Sequence, residues 1–101
     1  MTVQWTRRAR LRFAFCSDYL AENFGSEVAA DWEEAVFTTV SALIDSPRAG
    51  IEAFPGVGRN DLRKVLVDGR RYWIYFRLRQ STIEILSIRH TLMAPPRPTS
   101  L

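Results

Sequence analysis

An α+β fold, with an N-terminal strand and an antiparallel helical hairpin packed on an antiparallel β-sheet, is predicted by three features of this 101-residue chain. Apolar residues recur at helical spacing through the first half. They switch to a period of two after residue 60, and a stretch rich in Pro and Gly separates the two regimes. The length fits one domain over residues 1–101.

The opening residues Thr2–Trp5 alternate as a short strand does. Thr6 can cap a helix, with Arg7 and Arg8 in its first turn, a charge that opposes the helix dipole. Ala9, Phe13, Cys16, Leu20 and Phe24 then form a one-sided stripe, and Gly25 is a natural stop. Ser26 caps a second helix expected from about Glu27 to Asp45, with Val28, Trp32, Val36, Val40 and Leu43 on its apolar face. Neither helix can bury its stripe alone, so the pair reads as a hairpin.

Residues 46–60, with two Pro and three Gly, read as a loop. Leu62–Val67 is a strand, Asp68-Gly69 a hairpin turn, and Arg71–Arg79 a strand whose even positions Tyr72, Ile74, Phe76 and Leu78 are apolar. Gln80-Ser81 turns the chain into Thr82–His90, a third, Ile-rich strand of a meander. The tail, 91–101, contains three prolines and is expected to be flexible or peptide-like.

Composition removes several chemistries. One Cys and one His allow neither an intrachain disulfide nor a Cys/His zinc site, so no cofactor or metal is expected. Cys16 falls on the helical stripe and reads as a small buried hydrophobe rather than a nucleophile paired with His90. Apolar runs are too short to span a bilayer and the N-terminus lacks a signal-peptide pattern, which predicts a cytoplasmic protein. Fourteen Lys+Arg face eleven Asp+Glu, and Lys64 is the single lysine. Arg-rich surfaces suit carboxylates and phosphates, but an excess of +3 does not demand nucleic acid, and sequence-specific DNA binding is not expected.

The odd positions of the middle strand, Arg71, Trp73, Tyr75, Arg77 and Arg79, interleave cations with aromatics on the side away from the helices. This pattern reads as a binding platform. A solvated face of high strand propensity, or aromatics covered by a loop or the tail, would give the same pattern. Arg63, Arg89 and His90 are further candidates for contact, His90 equally so for a backbone-bonded strand end. No residue is assigned a catalytic role. Glu33 and Glu34 read as a solvated helix face, and Gly56-Val57-Gly58 lacks the Lys-Ser/Thr of a phosphate loop. Arg7, Arg8, Arg10 and Arg12 crowd the start of the first helix, either solvated or facing an acidic partner.

Five short motifs in order resemble the RelE/ParE superfamily of toxins from type II toxin–antitoxin systems. Thr6-x-Arg8-Ala9 is similar to a T-P-R-A helix start, with Arg7 for the proline. Leu43-x-x-x-Pro47-x-x-Gly50 resembles the family's helix-two exit, and Asp61-Leu62-Arg63 its D-L-R strand opening. Tyr72–Leu78 resembles Y-R-I-I-Y-R-V, and Ile83–His90 resembles V-E-I-L-R-V-L-H. The resemblance covers residues 3 to 90 and implies a toxin neutralised by a ParD-like antitoxin in a hetero-oligomer. RelE-like members cleave mRNA on the ribosome with basic residues of the exposed sheet face and a C-terminal tyrosine; ParE-like members are described as DNA gyrase poisons. Here the middle-strand arginine is Trp73, Leu92 and Met93 stand where basic residues follow the last strand, and the tail has no tyrosine. Arg63, or Lys64 in a register shifted by one, keeps a basic position on the second strand. Ribonuclease chemistry needs proton donors and acceptors and a cation for the developing charge. The departures therefore place the chain nearer the ParE-like branch, with a ribosome-dependent endoribonuclease and a non-toxic antitoxin-binding relic as the alternatives.

Overall fold

The computed structural model describes residues 1–67, 69 and 71–101. Strand β1 (Thr2–Trp5) leads into helices α1 (Arg7–Phe24) and α2 (Ser26–Asp45), followed by β2 (Ile51–Glu52), β3 (Leu62–Leu66), β4 (Tyr72–Arg79) and β5 (Thr82–His90). A short 3-10 turn, Pro98–Ser100, ends the chain.

The Thr6 hydroxyl accepts from the Ala9 amide and closes the start of α1, as its position in the sequence predicts. Gly25 ends α1 and begins α2 with φ +99° and ψ 159°, a conformation that side chains avoid, so the helices reverse on one residue. The predicted α+β architecture is present. The sheet is larger than a three-stranded meander: five strands run in the order β1-β5-β4-β3-β2. β1 joins beside β5 in parallel, which makes the sheet mixed. Ile51–Glu52, inside the segment read as a loop, pairs antiparallel with β3. Of the predicted Asp68-Gly69 turn, Asp68 lies outside the described residues, while Gly69 has φ +64°.

The helices cover one face of the sheet. Trp32, Val36, Val40 and Leu43 of α2 and Ala9, Cys16 and Leu20 of α1 pack on Ile74, Phe76, Ile83, Ile85 and Ile88. The even-numbered face of β4 therefore meets the helices, as predicted. Phe24 and Val28, assigned to the buried stripes, are instead exposed. They flank the hairpin turn and line a groove with Tyr72 and His90 at the strand ends, beyond which no described strand continues the sheet beneath them.

The other face carries a second, smaller core. Ala53, Leu62, Tyr75 and Leu86 are buried there, with Phe54, Trp73 and Leu101 packed around them. Two devices build it. The pairing of β4 with β5 shifts register between Tyr75 and Phe76, leaving Leu86 as an extra residue in β5. The loop after β2 then folds back and stacks the Phe54 ring on Tyr75, centroids 6.3 Å apart.

Candidate partner-binding surface

The predicted platform on β4 is dispersed by this second core. Tyr75 is 2% exposed, because Phe54, Leu86 and Leu101 close over it. Burial pushes its phenol above the ordinary tyrosine range, against the opposing pull of Arg89. Trp73 is half-buried, and Lys64 Nζ lies 4.4 Å above its ring. Arg77 is tied to Glu84, with Nε 3.0 Å from Oε1, so its charge is matched within the sheet. Arg79 is exposed near Gln80 at the far end, and Arg71 is exposed at the opposite end. Covered aromatics, rather than an open face, are the reason that the alternation appears.

The basic position on β3 also resolves. Arg63 pairs across from Phe76, on the helix-facing side, and donates to the Gly50 and Arg48 carbonyls. Lys64, opposite Tyr75, is the β3 cation of the outer face. Arg63 thus anchors the α2–β2 connection instead of presenting charge. Arg89 sits across from Trp73 and donates to the Ala94 carbonyl at 2.9 Å, holding the start of the tail. The tail after β5 touches the molecule at three points, although most of its residues are exposed: Pro96 is buried, Leu101 joins the second core, and Arg8 donates to the Ser100 carbonyl.

His90 belongs to a different place. Its Nδ1 accepts from the Leu92 amide at 3.1 Å, and its ring meets Tyr72 edge-on at 5.1 Å. These two rings floor a groove that runs along α1 and past the ends of β4 and β5. One hollow of about 320 Å³ is lined by Arg12, Phe15, Cys16, Tyr19, Tyr72, His90 and Met93. The adjoining one, about 350 Å³, shares Tyr19, Tyr72 and His90 and adds Phe24, Val28 and Arg71. Phe15 and Phe24 are 61% and 62% exposed, Tyr19 is 50%, and Leu11 continues the row along α1. Arg12 holds one rim, its Nε donating to the Ile88 carbonyl at 3.3 Å and its guanidinium 5.3 Å from the Phe15 ring.

Of the predicted contact residues, only Arg71 and His90 fall in this groove. Its aromatic wall was missed, although a signal existed. Leu11, Phe15 and Tyr19 stand four residues apart and form a second apolar row on α1 beside the buried stripe. Helices with one apolar stripe need only one neighbour. A second row asks for another.

Family comparison bears on what that neighbour is. Residues 3–95 match the family model described as ParE toxin of type II toxin–antitoxin system, parDE. The chain belongs to the ParE toxin family. Among solved structures it is similar to the chromosomal ParDE toxin–antitoxin system from P. aeruginosa, with a TM-score of 0.74 and 22% identity over 89% of this chain and 95% of that one. The isolated E. coli RelE toxin follows with a TM-score of 0.60 and 15% identity over 92% of this chain and 86% of that one. A chain of the E. coli RelBE toxin–antitoxin complex gives 0.56 and 18% identity, over 86% and 92%. At these identities the structural likeness carries the fold, while the family model carries the membership. No curated protein matches the chain in sequence. Among the described residues, no helix is long and apolar enough to cross a membrane.

Proposed function

We propose that this ParE-family chain is the toxin of a type II toxin–antitoxin module, that a ParD-like antitoxin neutralises it by binding directly, and that it acts on DNA gyrase by contact rather than by catalysis. The observation that carries this reading is the groove. An exposed row of Leu11, Phe15, Tyr19, Phe24, Val28, Leu92 and Met93 is a surface that a monomer would leave costly to solvate. Its length and its row at helical spacing suit an amphipathic segment that folds as it binds. Arg12 and Arg71 at the rims favour acidic side chains flanking the apolar anchors.

The outer face supports a non-catalytic reading. Arg77 is neutralised by Glu84, Arg63 is turned to backbone carbonyls, and Tyr75 is enclosed. What surrounds Trp73 among the described residues is Lys64, over its ring, and Arg89, opposite it in the ladder, two cations rather than a proton-transfer pair.

A ParD-like antitoxin, purified and titrated against wild type and Phe15→Glu/Tyr19→Glu, tests the groove. Both positions are exposed, so the fold survives the change, and affinity should fall at least about thirtyfold, as for loss of a hot spot. Wild-type affinity in this variant would overturn the assignment. Gyrase supercoiling should be inhibited by wild type. Ribosome-dependent RNA cleavage that vanished in Lys64→Ala or Arg89→Ala would replace gyrase with the ribonuclease reading.

A further inference from the structure

The α1 groove lies on the helical side of the molecule and leaves the outer face of the sheet unassigned. The second core covers only part of that face. Ladder register sets Ile51 opposite Lys64 and Lys64 opposite Tyr75, then Leu66 opposite Trp73 and Trp73 opposite Arg89. Side chains paired in this way stand on one side of a sheet. Tyr75 is closed over, but towards β2 and the end of β3 the cover stops: Ile51 is 56% exposed and Leu66 45%. Trp73 is half-buried at the boundary. Apolar side chains open to water around a tryptophan have the composition of an interface centre.

Charge frames this patch. Lys64 Nζ sits over the Trp73 ring, and Arg89 flanks the indole from β5 with Nη1 held by the Ala94 carbonyl. Arg59 and Arg77 both have a carboxylate, whereas Lys64 and Arg89 pair with none among the described residues. Both cations are already held by these contacts, so less side-chain freedom is lost when an anion reaches them. The arrangement, an apolar centre with a free cation on either flank, is complementary to an apolar side chain with carboxylates on either flank.

Nucleic acid fits the same surface less well. Stacking needs an open ring face. Here the Lys64 ammonium takes one face of the indole, and the ring also packs on the second core. A phosphate backbone needs a run of cations. Arg77, the next cation along β4 on this side, is tied to Glu84 and interrupts one. Exposed Ile51 and Leu66 offer nothing to a phosphate, and they offer contact area to a protein.

We propose that the patch of Ile51, Leu66 and Trp73 between Lys64 and Arg89 is the surface that grips the target protein, through an acidic segment carrying an apolar anchor. The inference rests on the reading that the toxin acts on gyrase by contact, and it assigns the two partners to opposite faces: antitoxin on the α1 groove, target on the outer sheet. Target action and neutralisation then separate by mutation. Trp73 and Leu66 anchor the target segment, and Lys64 and Arg89 fix its register and reject basic competitors.

The test sets Leu66→Glu and Lys64→Glu beside Phe15→Glu/Tyr19→Glu, each full-length, against assembled DNA gyrase and against a ParD-like antitoxin. Leu66→Glu and Lys64→Glu should each raise the concentration for half-inhibition of supercoiling at least about tenfold, as loss of an interface anchor does. Both should bind antitoxin like wild type, which also reports an intact fold. Lys64→Arg keeps the cation and should inhibit as wild type does. The α1 double variant should show the reverse pattern, weak antitoxin binding with full inhibition. Wild-type inhibition by both outer-face variants would sink the proposal and leave the gyrase reading standing. Parallel loss of antitoxin affinity would overturn the division into two faces. A wild-type chain that neither binds nor inhibits gyrase would remove the gyrase reading itself. Single-stranded RNA bound by that chain, and released by Lys64→Glu, would make nucleic acid the occupant instead.

Discussion

Tyr75 shows how one side chain can look like a binding residue and serve as core. On the strand it alternates with cations, yet Phe54 and Leu86 seal it to 2% exposure. Its raised phenol value carries a sign for stability. A group whose pKa is higher folded than unfolded stabilises the protein fully below its unfolded value, about 10, and loses that contribution as pH rises through the folded value. Tyr72 is shifted upward by burial as well. Urea midpoints should therefore hold from neutral pH to about pH 9 and decline beyond pH 10. Tyr75→Phe should make that decline shallower; an unchanged slope would mean that Tyr75 ionises without opening the second core. Phe76 lies on the opposite face, fully buried, whereas Phe13 is partly exposed at the hairpin. Phe76→Ala should cost about 3–5 kcal/mol in denaturant titrations. Phe13→Ala should cost visibly less, because water already reaches part of its ring.

Among elements, the α2–β3 connection decides more than its sequence suggests. A Cβ on Gly50 would stand 2.5 Å from the Lys64 carbonyl oxygen and 3.0 Å from the Phe76 ring. Gly50's own carbonyl accepts from Arg63. That close approach lets the two-residue strand β2 pair with β3 and aims Ala53 and Phe54 over the outer face. Gly50→Ala meets backbone on one side and core on the other, and should destabilise by about 1–3 kcal/mol, as overpacking does. It should also speed amide exchange in β2 relative to β5. Equal exchange in both strands would show that the loop absorbs the added methyl. The apolar rows of α1 divide their labour in a similar way: Ala9, Cys16 and Leu20 hold the sheet, while Leu11, Phe15 and Tyr19 face outward.

At the scale of the whole molecule, cations and apolar surface lie together. Arg7, Arg10 and Arg12 follow the start of α1, Arg71 stands at the far rim, and the net charge is +3. An acidic partner should therefore be steered to this side before its apolar anchors engage. Association with the antitoxin should slow several-fold between about 50 and 200 mM salt, while dissociation changes little, because the exposed charges are screened and the buried aromatics are not. Stopped-flow mixing at the two salt concentrations separates these rates. A dissociation rate that rose with salt as steeply as association fell would place the ion pairs inside the interface instead of at its rim.

Periodicity by itself determined the helical hairpin, the meander of β3 to β5 and which face of β4 meets the helices, because a period of two or of 3.6 commits every side chain to a side. Thr6 and Gly25 marked their boundaries for equally local reasons, a hydroxyl that can reach an amide and a residue without Cβ strain. Local motifs in order were enough for the family. Tertiary structure alone decided what lies over the second face. The parallel docking of β1 on β5, the fold-back of Phe54 and the return of Leu101 are contacts between residues far apart in the chain, and no period records them. The candidate site moved for that reason. Arg77 found Glu84, Arg63 found carbonyls, and Tyr75 found a cover, while Phe15 and Tyr19 of α1, outside the stripe that the sequence marks as buried, became the open surface. Alternation says which side of a strand a residue faces; only packing says whether that side is water.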